Sequence, residues 1–148
     1  MGLSDYRIMP KSWRLRVEGH VKNPLTLSYD EILSFPVLER KVLLICPGVF
    51  ANYGKWKGVS IKRLIENAGV KTNATHITIS GPESAYKKTE RFPLSEVLQD
   101  KVFLAYAVND KILPQKHGYP LRLVADGHYG FKWVKYVDRI RVEVISGI

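Results

Sequence analysis

The 148-residue chain contains one cysteine, Cys46, two methionines and few acidic side chains. A single thiol excludes an internal disulfide and leaves packing, nucleophilic attack or metal ligation as its uses. No stretch approaches the ~20 consecutive apolar residues that a membrane-crossing helix needs. The segment Met1 to Arg7 lacks the apolar core of an export signal, so a native N-terminus here predicts a cytoplasmic protein and the compartment is otherwise open. Asp and Glu number 14 against 23 Lys and Arg, for a net charge of +9 and a pI near 9.7. Such a balance suits an anionic partner: nucleic acid, an acidic membrane surface, an anionic cofactor or a small anionic substrate. Repeats, low-complexity tracts and linkers are also missing, so residues 1–148 read as one domain. A chain this long buries ~70% of the surface its unfolded form exposes.

The hydrophobic pattern predicts an α+β fold, with strand-rich mixed sheets and short helices. Trp13-Arg14-Leu15-Arg16-Val17 alternates apolar and charged residues, the period of a strand with one buried face. Asn23-Pro24 turns the chain, and Ser28-Tyr29-Asp30-Glu31 is a capping box that starts a helix ended by Phe35-Pro36. Lys41 to Ile45 reads as a strand buried on both faces. The residues after Cys46, with Asn52, Tyr53, Gly54 and Trp56, read as a loop. Ile61, Leu64, Ile65 and Ala68 share one face of a helix over Ile61 to Asn67, capped by Ser60 and stopped by Gly69. His76 to Ser80, Val102 to Val108, Leu121 to Ala125 and Val137 to Ile145 read as strands. Asn109-Asp110 turns a hairpin into Ile112-Leu113. Glu83 to Arg91 reads as a loop, followed by one helical turn through Leu94, Val97 and Leu98.

Two regions carry chemistry. Cys46 stands where the apolar run Val42-Leu43-Leu44-Ile45 breaks into Pro47-Gly48. Packing is the commoner use of a lone cysteine, and a nucleophile would need a base such as His117 or His128, with Asp126 to orient it. The segment from His117 to Lys135 brings His117, Arg122, His128, Lys132 and Lys135 among glycines. Each cation alone is ordinary solvated charge; clustered beside a Gly-rich backbone, such groups suit a phosphate or another oxyanion.

These segments together resemble the sulfite oxidase family. The resemblance runs through Trp13 to Gly19, Asn23 to Leu27, Cys46, and Trp56-Lys57-Gly58-Val59. It continues through Leu104-Ala105-Tyr106, Asn109, His117 to Val124, and Gly127 to Lys135. It implies a sulfite oxidase-type molybdopterin-binding domain, with one molybdenum cofactor per chain. Cys46 matches the protein thiolate that ligates the metal, which makes it both metal ligand and catalytic residue. A thiolate is a strong soft ligand, and one suffices when the cofactor brings its own sulfurs. By motif position His117 and Arg122 resemble pterin and phosphate contacts, and Lys135 the lysine that closes on the phosphate. Lys132 and Trp133 resemble further contacts there, and Tyr6 and Arg7 fall near the family's first cofactor-contacting segment. Ser80 and Tyr86 lie in a stretch that approaches the metal in relatives.

The implied activity is two-electron oxygen-atom transfer on a small substrate such as sulfite or a sulfoxide, in either direction. Electrons would pass to or from a separate partner, because the chain has no Cys-x-x-Cys-His haem motif and no cluster-binding cysteines. The sulfite-binding arginines of the family have no assigned counterparts here, and Trp133 replaces a residue that is commonly small. A molybdopterin-binding or carrier protein without turnover would keep the same motifs. A nucleic-acid binder is disfavoured, because the aromatics sit in apolar, strand-like contexts rather than alternating with Lys and Arg.

Overall fold

A computed structural model describes residues 11–46, 50–82 and 88–145, except for the side chains of Cys46 and Phe50. Among the described residues, ten strands form two five-stranded sheets. In the first, β1 (Leu15–Gly19) lies between the short antiparallel β2 (Leu25–Leu27) and the parallel β10 (Arg139–Glu143). The order continues through β5 (His76–Ser80) to β6 (Thr89–Pro93), both pairings antiparallel. The second sheet runs β3 (Val37–Cys46), β4 (Phe50–Val59), β7 (Val102–Val108) and β8 (Lys111–Ile112), with β9 (Arg122–Ala125) also pairing β7. Helices α1 (Tyr29–Leu33), α2 (Ile61–Ala68) and α3 (Leu94–Leu98) accompany the sheets.

Local chemistry explains several boundaries. Ser28 Oγ accepts from the Glu31 amide at 3.2 Å while the Glu31 carboxylate accepts from the Ser28 amide at 2.9 Å, which completes the capping box of α1. Helix α2 turns Ile61, Leu64, Ile65 and Ala68 into the core and ends at Gly69, whose φ of 77° is left-handed. Asn109 and Asp110 have φ of 51° and 67°, the two positive values of a type I′ hairpin turn.

Other expectations need correction. Lys41–Ile45 is part of a ten-residue edge strand; Val42 is buried but Lys41 is exposed, and among the described residues only β4 pairs with β3. The apolar run reflects one covered face and a partly open one. Residues Asn52 to Trp56 are strand, paired with β3 from Val37↔Val59 to Cys46↔Phe50. Their polar content belongs to the open face and the strand end, which composition alone mistakes for a loop. Ser60 precedes α2 without capping it through its side chain; its hydroxyl donates instead to Asp100 Oδ1 at 2.6 Å. Thr89 to Arg91, read as loop, form the start of β6, and β2 was not anticipated.

The strand β7 joins both halves of the second sheet. Its residues Val102 to Ala107 are all buried. Opposite β4 the register passes from Lys57↔Ala107 to Gly58↔Ala105, so Tyr106 is the extra residue of a bulge. Gly58 sits at that shift with no room for a side chain: a Cβ would lie 1.8 Å from the Leu104 carbonyl oxygen.

Candidate functional site

The β3–β4 hairpin, the β7–β8 turn and the segment before β9 enclose a cleft of about 290 Å³. Leu44, Asn52, Gly54, Trp56, Asn109, His117 and Arg122 are among its lining residues, and none of the described lining residues carries a carboxylate. Larger surface hollows exist, such as one of about 660 Å³ beside Gly19 and Arg91. Its charges are already matched, with Arg141 against Glu18 at 3.2 Å and Arg91 against Glu143 at 3.2 Å. The smaller cleft has the chemistry of a site, because Arg122 and His117 line it and none of its described lining residues is acidic.

Arg122 defines that chemistry. It opens β9 opposite Ala105 of β7, and only 7% of it is accessible. Its guanidinium carbon stands 5.6 Å from the Trp56 ring centroid and 5.7 Å from that of Trp133. The two indoles meet edge to face at 5.3 Å, forming an aromatic support that holds a planar cation in place. Arg122 Nη1 also donates to the His117 carbonyl at 3.3 Å.

His117 and Lys135 join this cation through Gly118. A Cβ on Gly118, whose φ is 116°, would lie 3.2 Å from the Cβ atoms of both Arg122 and Lys135. Glycine therefore permits the turn and the close approach together. Lys135 Nζ donates to the Lys116 carbonyl at 3.0 Å. The pKa of His117 is lowered, first by partial desolvation and then by the charges of Arg122, Lys135 and Lys116. Three cations, Arg122, Lys135 and Lys116, thus stand close enough to His117 to disfavour its charged form.

Trp56 supplies a second polar feature. Its buried Nε1 has no hydrogen-bond partner among the described residues, and it lies 2.8 Å from where a Cβ on Gly54 would stand. Buried indole N–H groups usually find an acceptor, so this donor beside the cleft is directed at one outside the described residues.

The remaining sequence candidates are distributed differently. Cys46 is the last residue of β3, two residues beyond the cleft-lining Leu44 and paired with Phe50. Trp133 is buried and donates its N–H to the Ala125 and His128 carbonyls at 3.0 and 3.2 Å, so it acts here as support for Arg122. Lys132 ends a short 3-10 turn (Gly130–Lys132) and is half-buried. Ser80 is buried at the end of β5, its carbonyl accepting from Asp138 at 3.1 Å, and it does not line the cleft. The imagined base His128 is instead bonded to Glu96 at 2.8 Å. Tyr6, Arg7 and Tyr86 lie outside the described residues. Among the described residues, no three His, Cys, Asp or Glu side chains gather as a metal-binding group.

A tyrosine group near this region escaped the sequence reading. Tyr29 and Tyr119 meet at 5.5 Å with their rings tilted by 52° and share a hydrogen bond, while Trp13 meets Tyr29 edge-on at 6.3 Å. Burial, followed by the nearby Tyr119 and Tyr106, pushes the pKa of Tyr29 up to about 12. Only the positions of Tyr106 and Tyr119 within the motifs Leu104-Ala105-Tyr106 and His117 to Val124 could have drawn attention to them. Tyr29 comes from a distant helix.

Residues 3–144 match the family described as the oxidoreductase molybdopterin binding domain. The chain belongs to that family. This molybdopterin-binding domain is 28% identical over 150 residues to the protein-methionine-sulfoxide reductase catalytic subunit MsrP of Gluconobacter oxydans, covering 90% of the chain and 47% of that protein. It is 34% identical over 137 residues to the uncharacterized oxidoreductase YuiH of Bacillus subtilis, covering 92% and 67%. Among solved structures, the sulfane dehydrogenase SoxCD from Paracoccus pantotrophus superposes with a TM-score of 0.85 at 28% identity, covering 93% of the domain and 39% of that chain. The molybdopterin-binding domain thus spans about half the length of the MsrP relative it matches. Among its described residues no helix is long and apolar enough to cross a membrane.

Proposed function

We propose that this domain holds one molybdopterin in the cleft between Trp56, His117 and Arg122, and carries out two-electron oxygen-atom transfer on a small sulfur oxo-compound. A sulfoxide reduced to a thioether is the favoured reaction. The observation that carries the proposal is the buried Arg122 guanidinium on its two indoles, with His117 beside it in a cleft whose described lining residues include no carboxylate, and Lys135 close by across Gly118. A phosphate-bearing pterin fits this donor set, and the Trp56 N–H, which has no partner among the described residues, offers a directed bond to one of its acceptors. The match to MsrP supports a sulfoxide over other oxo-compounds.

In this reading Arg122 grips the phosphate end and Lys135 adds a point charge. His117 donates from the wall of the cleft, while the Trp56–Trp133 pair fixes the direction of the guanidinium. Cys46 supplies the single protein thiolate to the metal. When bound, the cofactor supplies reversible two-electron redox chemistry and a site for the transferred oxygen. The protein sets access, charge and ligand geometry, and a separate donor supplies the electrons.

The test is elemental and pterin analysis of protein made in cells shown to load a control molybdoenzyme, followed by turnover of methyl sulfoxides with a reduced viologen dye. About one molybdenum and one pterin per chain, with sulfoxide reduction, is expected under this stoichiometry. Folded protein that acquires neither would overturn the reading; loaded protein inactive on sulfoxides and sulfite would favour a carrier.

A further inference from the structure

The outer face of the β3–β4 hairpin carries a second chemistry. Register places Glu39, Lys57, Ala107 and Ile112 in one row across the sheet and Lys41 opposite Lys55 in the next. Beyond them Leu43 pairs with Tyr53 and Ile45 with Ala51. Tyr53 is 63% exposed and Ile112 70%, while Lys41 reaches over the Tyr53 ring at 5.2 Å. Asp110 pairs with Lys55 at 2.9 Å and also feels Lys57, so three lysines, Lys41, Lys55 and Lys57, face two carboxylates, Glu39 and Asp110. The face thus has an apolar strip bordered by excess positive charge.

This face is continuous with the cleft. Strand alternation sends Gly54 and Trp56 inward while Lys55 is exposed, and Tyr53 both lines the cleft and remains open to solvent. A protein seated on Tyr53 would therefore approach the cleft through the same hairpin that forms its wall. Apolar contact bordered by complementary charge is the composition of transient docking surfaces, where charge sets the encounter rate.

We infer that the outer face of β3–β4, centred on Tyr53 with Lys41 and Lys57, docks an acidic electron-carrying protein that serves the cleft. The inference rests on the proposed redox function and adds the kind of partner. A one-electron donor would visit twice, each visit oxidising the donor by one electron. The two electrons and two protons from solvent convert a sulfoxide into a thioether and water.

Flavodoxin, an acidic flavoprotein, serves as the probe. Binding to the loaded protein is measured by calorimetry at low salt, and sulfoxide turnover is driven either by flavodoxin hydroquinone or by reduced viologen. The wild-type rate with flavodoxin should fall about tenfold between ~20 and ~300 mM salt. Lys41→Glu combined with Lys57→Glu should weaken both flavodoxin binding and flavodoxin-driven turnover about tenfold or more, with viologen-driven turnover unchanged. Tyr53→Ser should weaken binding while keeping the salt dependence. Equal binding by wild type and the double variant would overturn the inference. So would a loss confined to binding of phosphatidylserine vesicles, which would assign the face to a membrane surface. Failure of viologen-driven turnover would count against the proposed function instead, and the binding measurement would still decide the docking face.

Discussion

Arg122 and Trp56 form the central relationship of the cleft: a buried guanidinium stands 5.6 Å from an indole whose own N–H has no partner among the described residues. Both groups come from strands that flank β7, so sheet pairing rather than a local loop fixes their separation.

Arg122→Lys keeps the charge and removes the planar group that stacks on Trp56 and Trp133. Cation–aromatic contacts of this kind contribute about 1–2 kcal/mol when desolvated. Cofactor retention should fall about tenfold for that loss. Pterin released from the purified variant, compared with wild type at equal folded concentration, measures it.

Gly58→Ala tests the bulge beneath the site. The new Cβ would meet the Leu104 carbonyl at 1.8 Å, so β4 and β7 must separate to admit it. Destabilisation of about 3 kcal/mol is expected from such a clash, read as a lower urea midpoint. Gly127→Ala is a useful contrast, because its Cβ would meet nothing within 4 Å and only the backbone φ of 85° would be strained.

His117 gives a pH dependence with a definite sign. Its folded pKa lies below the ordinary histidine value of 6.5, so on acidification through that value the unfolded chain takes up the proton first. Stability attributable to His117 is therefore present above that pH and declines as pH falls. An anion in the cleft would raise the same pKa, so sulfate, whose own charge does not change over the histidine range, should bind more tightly as pH falls. Imidazole NMR titrations with and without sulfate should show an upward shift; an unchanged midpoint would place the anion elsewhere.

Tyr29 acts at the alkaline end. Its folded pKa of about 12 exceeds the ordinary value of 10.0. The unfolded chain then loses the proton first as pH rises, so the contribution of Tyr29 is present below pH 10.0 and is lost progressively toward about 12. Tyr29→Phe should flatten this part of the stability profile, and tyrosinate absorbance should show one late-titrating phenol fewer.

Much of this fold was legible where local pattern and tertiary environment agree. The face of α2, the capping box at Ser28 and the turn at Asn109-Asp110 each follow from a spacing that local geometry requires. The long hairpin was not legible, because β3 is an edge strand and β4 mixes Gly54 and Gly58 with residues of an open face. In the cleft, the motif from His117 to Val124 announced Arg122 as a cation near His117. It did not reveal the indole pair beneath Arg122, since Trp56 and Trp133 are far apart in sequence and meet only after β4 and β9 have joined β7. The same holds for Tyr29 and Tyr119, which come from separate elements.

The proposed metal ligand is tested by Cys46→Ser, through X-ray absorption at the molybdenum edge of protein loaded with cofactor. One sulfur fewer is expected around the metal in the variant than in wild type, with the pterin still retained by Arg122, His117 and Lys135. An unchanged sulfur count in a folded, loaded Cys46→Ser protein would contradict that assignment.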